Sequence, residues 1–297
     1  MAVDVDLKVM LEVGAHFGHQ TRRWNPKMRP FIYTQRDGIH IIDLAQTAEQ
    51  IKRAAKFVTD TVAVGNCILF VGTKKQARDI IREEATRSSQ FYVVNRWLGG
   101  TLTNLKTIRA SIDKLRNLYE RKEKGEFEKI TKREALSLER VIIKLESALG
   151  GIKDMPRIPG AVFLIDPIHE VIAKKEAMRL GIPVIAMIDT NGDPEGIAYP
   201  IVSNDDAIRS IQYFTKLIAD AALEGLALRE VIARQEADRA ADRAKQTKGK
   251  GGAVREERFG AKGRAYTAEK PAQQTTELSP EELEAFAKAK VDEGAVS

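Results

Sequence analysis

The sequence is poor in cysteine, in long apolar runs and in the glycine spacings that cradle nucleotides. Its one cysteine, Cys67, has no intrachain partner, so no internal disulfide holds the fold. Cys67 adjoins the apolar run Ile68 to Val71, where a thiol serves as a small core residue, and a reducing cytoplasm is the expected setting. No basic segment followed by an apolar stretch opens the chain, and no apolar run approaches the roughly 18 residues of a membrane span. Neither export nor membrane anchoring is expected. Charge of one sign is also not abundant: 48 Lys+Arg stand against 42 Asp+Glu, with pI ≈ 9.2. The average alone does not identify a nucleic-acid binder.

Apolar residues make up 43% of the chain, and their periodic spacing between Leu7 and Leu228 allows a sizeable core there. Leu44, Ala48, Ile51, Ala55, Val58 and Val62 recur at alternating steps of four and three, which predicts one face of an amphipathic helix. The run Ile68 to Val71 ends at Gly72, and Ala77, Ile80, Ile81 and Ala85 then suit a second helix within 75–88. Further short runs at 91–94, 161–165, 182–188 and 198–202 alternate with helical patterns at 170–180 and 206–224. Strands alternating with helices predict an α/β fold with a parallel sheet and helices on both faces. Near the start, 31–34 and 39–43 flank Asp37-Gly38, a pair suited to a hairpin, which is expected to cover one sheet edge.

Between Gly99-Gly100 and Gly150-Gly151 the strand signals stop. Leu105, Ile108, Ile112, Leu115 and Tyr119 form one narrow seam, and Ala135, Leu138, Ile142, Leu145 and Leu149 form another. Gly125 lies in the polar link between them, and Thr131-Lys132-Arg133-Glu134 has the spacing of a capping box. Two narrow seams joined by a short link predict an inserted antiparallel coiled-coil hairpin. At 1.5 Å rise per residue each arm reaches on the order of 25 Å, a length suited to meeting a partner. Beyond Leu228 the periodicity fades. From Ala244 to Arg264 there are seven bases and two acids, and from Ala265 to Ser297 three bases and seven acids, blocks expected to stay disordered. The expected organisation is an α/β domain over 1–103 and 150–228, a hairpin insertion over 104–149 and a charged tail over 229–297.

The strongest basic cluster runs from Gln20 to Arg36, where Arg22, Arg23, Lys27, Arg29 and Arg36 are interleaved with Trp24, Phe31 and Tyr33 and no acid intervenes. Cations neutralise phosphates and aromatic planes stack on unpaired bases, so this segment points to folded RNA. The alternative is a solvated edge with buried aromatics, but five like charges in seventeen residues repel one another unless an anion is near. The hairpin carries twelve bases and eight acids, a weaker signal. Gly72-Thr73-Lys74-Lys75 follows a strand and opens a helix, where a phosphate could sit, yet it matches neither common nucleotide-binding pattern. A plain turn, with Lys74 and Lys75 facing RNA, fits better. Asp166, His169, Asp189 and Asn191 follow strands, but Asp166-Pro167 and Asn191-Gly192-Asp193-Pro194 read as turn sequences. No nucleophile and base set accompanies them, so no catalytic residue is expected. His16 and His19, three apart, could share a metal with Asp189; structural histidines are the preferred reading, and neither metal nor cofactor is expected.

At this point the sequence resembles a known family, the bacterial small-subunit ribosomal protein number two. The residues that carry the likeness are GAHFGHQTRRWNPKM from Gly14, LFVGTKKQA from Leu69, NRWLGGTLTN from Asn95, LGGIKDMP from Leu149, IDTNGDP from Ile188 and NDDAIRSI from Asn204. Together they span nearly all of residues 5–228. The resemblance implies a flavodoxin-like sheet domain with the coiled-coil hairpin inserted, bound to small-subunit rRNA where head and body meet on the solvent side. It implies a cytoplasmic, ribosome-bound protein that helps recruit the messenger-binding ribosomal protein number one and touches neighbouring ribosomal proteins, with no homo-oligomer. The residues expected to hold RNA are Arg22, Arg23, Trp24, Lys27, Arg29, Lys74, Lys75, Arg96 and Trp97. Two departures stand out: Val202-Ser203 replaces the family's usual Pro-Gly, and the tail after Leu228 has no dependable counterpart. Two other readings compete. One is an α/β enzyme holding a phosphorylated small molecule at Thr73, Lys74, Asp166 and Asp189. The other is a docking module whose hairpin seam captures a partner.

Overall fold

The computed structural model of the chain describes residues 5–250. They open with α1 (Leu7–Glu12), capped by Asp6, whose carboxylate accepts from the Lys8 N–H at 2.8 Å. Then come β1 (Phe17–Gln20), two 3₁₀ turns (Thr21–Arg23 and Pro26–Phe31), β2 (Ile32–Arg36) and β3 (Ile39–Ile42). β2 and β3 pair antiparallel about Asp37 and Gly38, both at positive φ, as a two-residue hairpin turn requires. β1 joins the other side of β3, giving a three-stranded sheet in the order β1-β3-β2. The hairpin was expected at a sheet edge. Instead its sheet docks on the loops that end the main strands: the His19 N–H donates to Thr190 Oγ1 at 2.9 Å, the Asn25 N–H to the Thr190 carbonyl at 2.8 Å, and the Asn204 N–H to the Ala15 carbonyl at 3.1 Å.

The chain continues through α2 (Leu44–Ala63), β4 (Ile68–Val71), α3 (Arg78–Arg87), β5 (Phe91–Val93), α4 (Leu105–Glu123), α5 (Lys132–Leu149), β6 (Ala161–Ile165), α6 (Val171–Arg179), β7 (Val184–Ile188), β8 (Tyr199–Val202) and α7 (Ile208–Lys250). The last five strands make one parallel sheet in the order β5-β4-β6-β7-β8. Every residue of β4, β6 and β7 is buried, which is why these strands read as unbroken apolar runs. On one face Phe70, Phe163 and Ile185 pack with Ile51 and Val58 of α2, Ile81 of α3 and Phe214 of α7. On the other, Val71, Leu164 and Ile188 pack with Ala173 and Ala177 of α6 and with Ile108, Ile112 and Leu149 from the bases of α4 and α5. The fold is therefore mixed α/β with helices on both faces, and its strand order is consistent with a flavodoxin-like sheet.

Beyond their bases α4 and α5 pack on each other, burying Leu115, Leu118 and Ile142 against Leu138, Val141 and Leu145. The Tyr119 hydroxyl donates to Glu146 at 3.2 Å and Lys122 Nζ to Glu139 at 3.0 Å, contacts that set the two helices antiparallel. Thr131 and Glu134 form the predicted capping box. The seam differs in α4: Leu118 is 4% exposed and Tyr119 37%, so leucine takes the inner position and tyrosine lies at the margin with its hydroxyl bonded to Glu146; in α5 Val141 joins the seam. α7 passes Leu228 without a break to Lys250. The expected tail thus begins as helix, because Ala, Arg, Glu and Lys sustain one without an apolar stripe. Its remainder, 251–297, lies outside the described residues. Among the described residues, those up to Ala244 form one compact unit. No helix among the described residues is long and apolar enough to cross a membrane.

Candidate nucleic-acid interface

Open α/β sheets bind ligands outside the carboxyl ends of their strands, where the strand order reverses. Here that crevice lies between β4 and β6, and the protein fills it with its own ion pairs. Lys74 Nζ stands 2.8 Å from Asp166, 2.9 Å from Asp205 and 3.0 Å from Asp206, with 15% of the lysine side chain exposed. Burial opposes its charge, but Asp205 and Asp166 outweigh it and its pKa is raised. The Thr73 N–H and hydroxyl both donate to Glu170 Oε1, at 2.8 and 2.6 Å. Donors that a nucleotide site would turn toward phosphate are therefore taken by a side-chain carboxylate. Gly72 has a packing role, since a Cβ there would lie 2.3 Å from Ile81 Cδ1. Asp166, at φ 59°, accepts from the N–H groups of Ile168 and His169 at 2.9 and 3.2 Å, the capping duty its Asp-Pro sequence predicts. The groups of the enzymatic reading are thus already paired, and the charge of Lys74, expected to face RNA, is engaged by three carboxylates of the protein itself. Lys75 beside it is exposed.

Close by, His19 Nδ1 meets Asp189 Oδ2 at 2.7 Å, a bond that holds the imidazole pKa above its ordinary value. Asp205 is 1% exposed, and burial, with Asp166 and Asp189 nearby, pushes its carboxyl up to about 7. His16 does not join this group. Its ring packs on Phe17 with centroids 4.0 Å apart, and it lies in the turn before β1, not in the strand that carries His19.

The loop between β5 and α4 is organised by a residue the sequence did not single out. Glu176 of α6 accepts from the Trp97 indole N–H at 3.1 Å, from the N–H groups of Gly100, Leu102 and Thr103 at 2.7, 3.0 and 3.1 Å, and from the Thr103 hydroxyl at 3.0 Å. Burial works against the carboxylate, but these donors prevail and hold its pKa below the usual range. Trp97 is 6% exposed, its indole turned inward onto Glu176. Arg96 next to it is exposed and pairs with no described residue.

The basic segment is pinned from beneath by buried Met28 and by Asn25, whose N–H donates to the Thr190 carbonyl at 2.8 Å and whose side-chain oxygen accepts from the Lys27 N–H at 3.0 Å. Arg22, Arg23 and Arg29 are exposed. Arg22 donates to Gln20 at 3.0 Å, while Arg23 and Arg29 have no ion pair with any described residue. Lys27 is exposed but paired with Asp193 and Glu195. Trp24 is half-buried, its ring 5.2 Å from that of His40. The aromatic most open to stacking is Tyr33 on β2, 76% exposed, with Arg36 on the same strand. Strand alternation could not rank Trp24 against Tyr33, because the contact with His40 arises only once β3 is in place.

Residues 10–225 match the family described as Ribosomal protein S2. The chain is 58% identical over 228 residues to the "Small ribosomal subunit protein uS2" of Roseiflexus castenholzii, covering 77% of this chain and 87% of the other. It is 53% identical over 227 residues to the protein of that name from Chloroflexus aurantiacus, covering 76% and 95%. With the one from Bdellovibrio bacteriovorus it shares 50% identity over 267 residues, covering 90% and 85%. An alignment of that length runs past Leu228, so part of the tail does have a counterpart in a relative.

Proposed function

Since this chain belongs to the ribosomal protein S2 family, and is accordingly a small-subunit ribosomal protein and not an enzyme, we propose that it works by holding small-subunit rRNA on the face built by Arg22, Arg23, Arg29, Tyr33, Lys75 and Arg96. The observation that carries this is the set of exposed arginines, Arg22, Arg23 and Arg29, that form no ion pair with any described residue, on a segment tied to the sheet domain through Asn25 and Met28. Lys27 adds a cation that must exchange Asp193 and Glu195 for phosphate, and Trp24 contributes its open edge. The scaffold is a flavodoxin-like domain over 1–103 and 150–228. The insertion over 104–149 is a coiled-coil arm that, with the adjoining domain surface, docks the messenger-binding ribosomal protein number one and neighbouring ribosomal proteins. The protein serves as a single copy, bound to ribosomes in the cytoplasm.

Phosphate contacts release counterions, so affinity for the rRNA site falls steeply with salt. Arg23→Ala should lower the slope of log affinity against log salt by about one unit. Filter binding to the rRNA fragment across a potassium chloride series measures it. An affinity insensitive to salt, or a slope unchanged in Arg22, Arg23 and Arg29 variants alike, would remove the basis of the reading.

A further inference from the structure

We infer that His19, Asp205 and Asp206 form a binding site for one divalent cation of the zinc class, an ion that ties the small antiparallel sheet to the start of α7. The ligand atoms these residues offer all lie within 4.8 Å of one another. His19 Nε2 is 3.6 Å from Asp206 Oδ2, and ligand atoms around a tetrahedral ion with bonds of about 2.0–2.2 Å sit roughly 3.3–3.5 Å apart.

Two independent observations point to an ion rather than to a chance group of acids. The first is Asp205. Its Oδ1 accepts from Lys74 at 2.9 Å, but its Oδ2 is buried and has no hydrogen-bond partner among the described residues, in a side chain that is 1% exposed. A buried carboxylate oxygen without a donor is costly, and such atoms are ordinarily satisfied by protein, water or an ion. The second is the setting of His19. Asp189 engages Nδ1 at 2.7 Å and so fixes the ring with Nε2 directed toward Asp206. A carboxylate on one imidazole nitrogen with the other nitrogen free is how proteins orient a metal-ligating histidine.

Charge agrees. Asp166, Asp189, Asp205 and Asp206 converge on a single ammonium, Lys74, and one imidazole. Arg23 lines the adjoining recess of about 280 Å³, as do Gly18, His19, Asp189 and Asp206, yet it pairs with none of the four acids. One imidazole with two carboxylates suits zinc, cobalt or nickel better than magnesium or calcium, which prefer oxygen throughout. The recess provides the entry path and room for water to complete the shell. The role is structural: the ion joins β1 to the segment after β8 beneath the basic turn that starts at Thr21.

The test uses the full chain, stripped with a chelator and dialysed. Cobalt(II) is titrated with visible absorption as the readout, and zinc with calorimetry and the ¹⁵N shift of His19 Nε2. One equivalent should bind, with His19 Nε2 as the nitrogen that moves. Asp206→Asn, at an exposed position, and His19→Gln should each weaken binding more than tenfold. Asp189→Asn should weaken it by about 10- to 100-fold through loss of ring orientation. His169→Gln should change nothing. No uptake by the wild-type chain, or uptake that leaves the His19 shift unmoved or survives both ligand substitutions, overturns the assignment. Because the salt dependence of rRNA binding is measured separately, failure here leaves the RNA reading standing.

Discussion

Lys74 and Arg23 lie at the same end of the sheet domain, and their surroundings give them opposite duties. Arg23 is held out to solvent by a short turn, whereas Lys74 is drawn among three carboxylates. Removing one member of a buried pair strands its partners, so Lys74→Ala should cost about 3–5 kcal/mol, seen as a lower urea midpoint at unchanged m. The rRNA salt slope should stay where it is; a slope smaller by one unit would return Lys74 to the RNA face. The sequence made both residues look alike because charge is written locally and partners are not. Asp166 and Asp205 lie 92 and 131 positions beyond Lys74, and Glu176 lies 79 beyond Trp97. The cluster of arginines was legible from composition, while the side chains that the fold captures were not. His19 with Asp205 and Asp206 belongs to the second kind.

Among the elements, those with strong periodicity were legible and those made by pairing were not. The runs at 68–71 and 161–165 name β4 and β6 to the residue, since a strand buried on both faces has little freedom in composition. β1 went unnoticed because Phe-Gly-His-Gln has neither alternation nor β-branched residues and becomes a strand only through β3. In α4 the heptad step reached Tyr119, whereas packing chose Leu118. A substitution pair tests this. Leu118→Ala should destabilise the α4–α5 pair by about 2–5 kcal/mol, whereas Tyr119→Ala, which loses one exposed hydrogen bond, should cost about 1 kcal/mol. Hydrogen exchange of amides in 113–145 reads the difference, and equal loss of protection in the two variants would refute the observed seam.

At the scale of the whole molecule, anchoring and recruitment are expected to separate. The bases of α4 and α5 belong to the core through Ile108, Ile112 and Leu149, so deleting 104–149 outright would expose that core. Replacing only 122–137 with a short glycine-containing turn spares those contacts and Leu138 of the Leu118 layer. Small subunits carrying this shortened chain should retain it through salt washing but capture less of the messenger-binding ribosomal protein, as co-sedimentation would show. Equal capture would place that dock elsewhere, and loss of the shortened chain from subunits would make the arm an anchor.

Where α5 returns to the sheet, the chain presses on β5: a Cβ at Gly151 would lie 2.2 Å from the Tyr92 carbonyl oxygen. β5 is three residues long, stands at the margin of the sheet and pairs only with β4. The arm consequently behaves as a lever with a tight fulcrum. Strain delivered through the returning helix is expected to reach this three-residue ribbon before the central strands, which are held by a neighbour on either side.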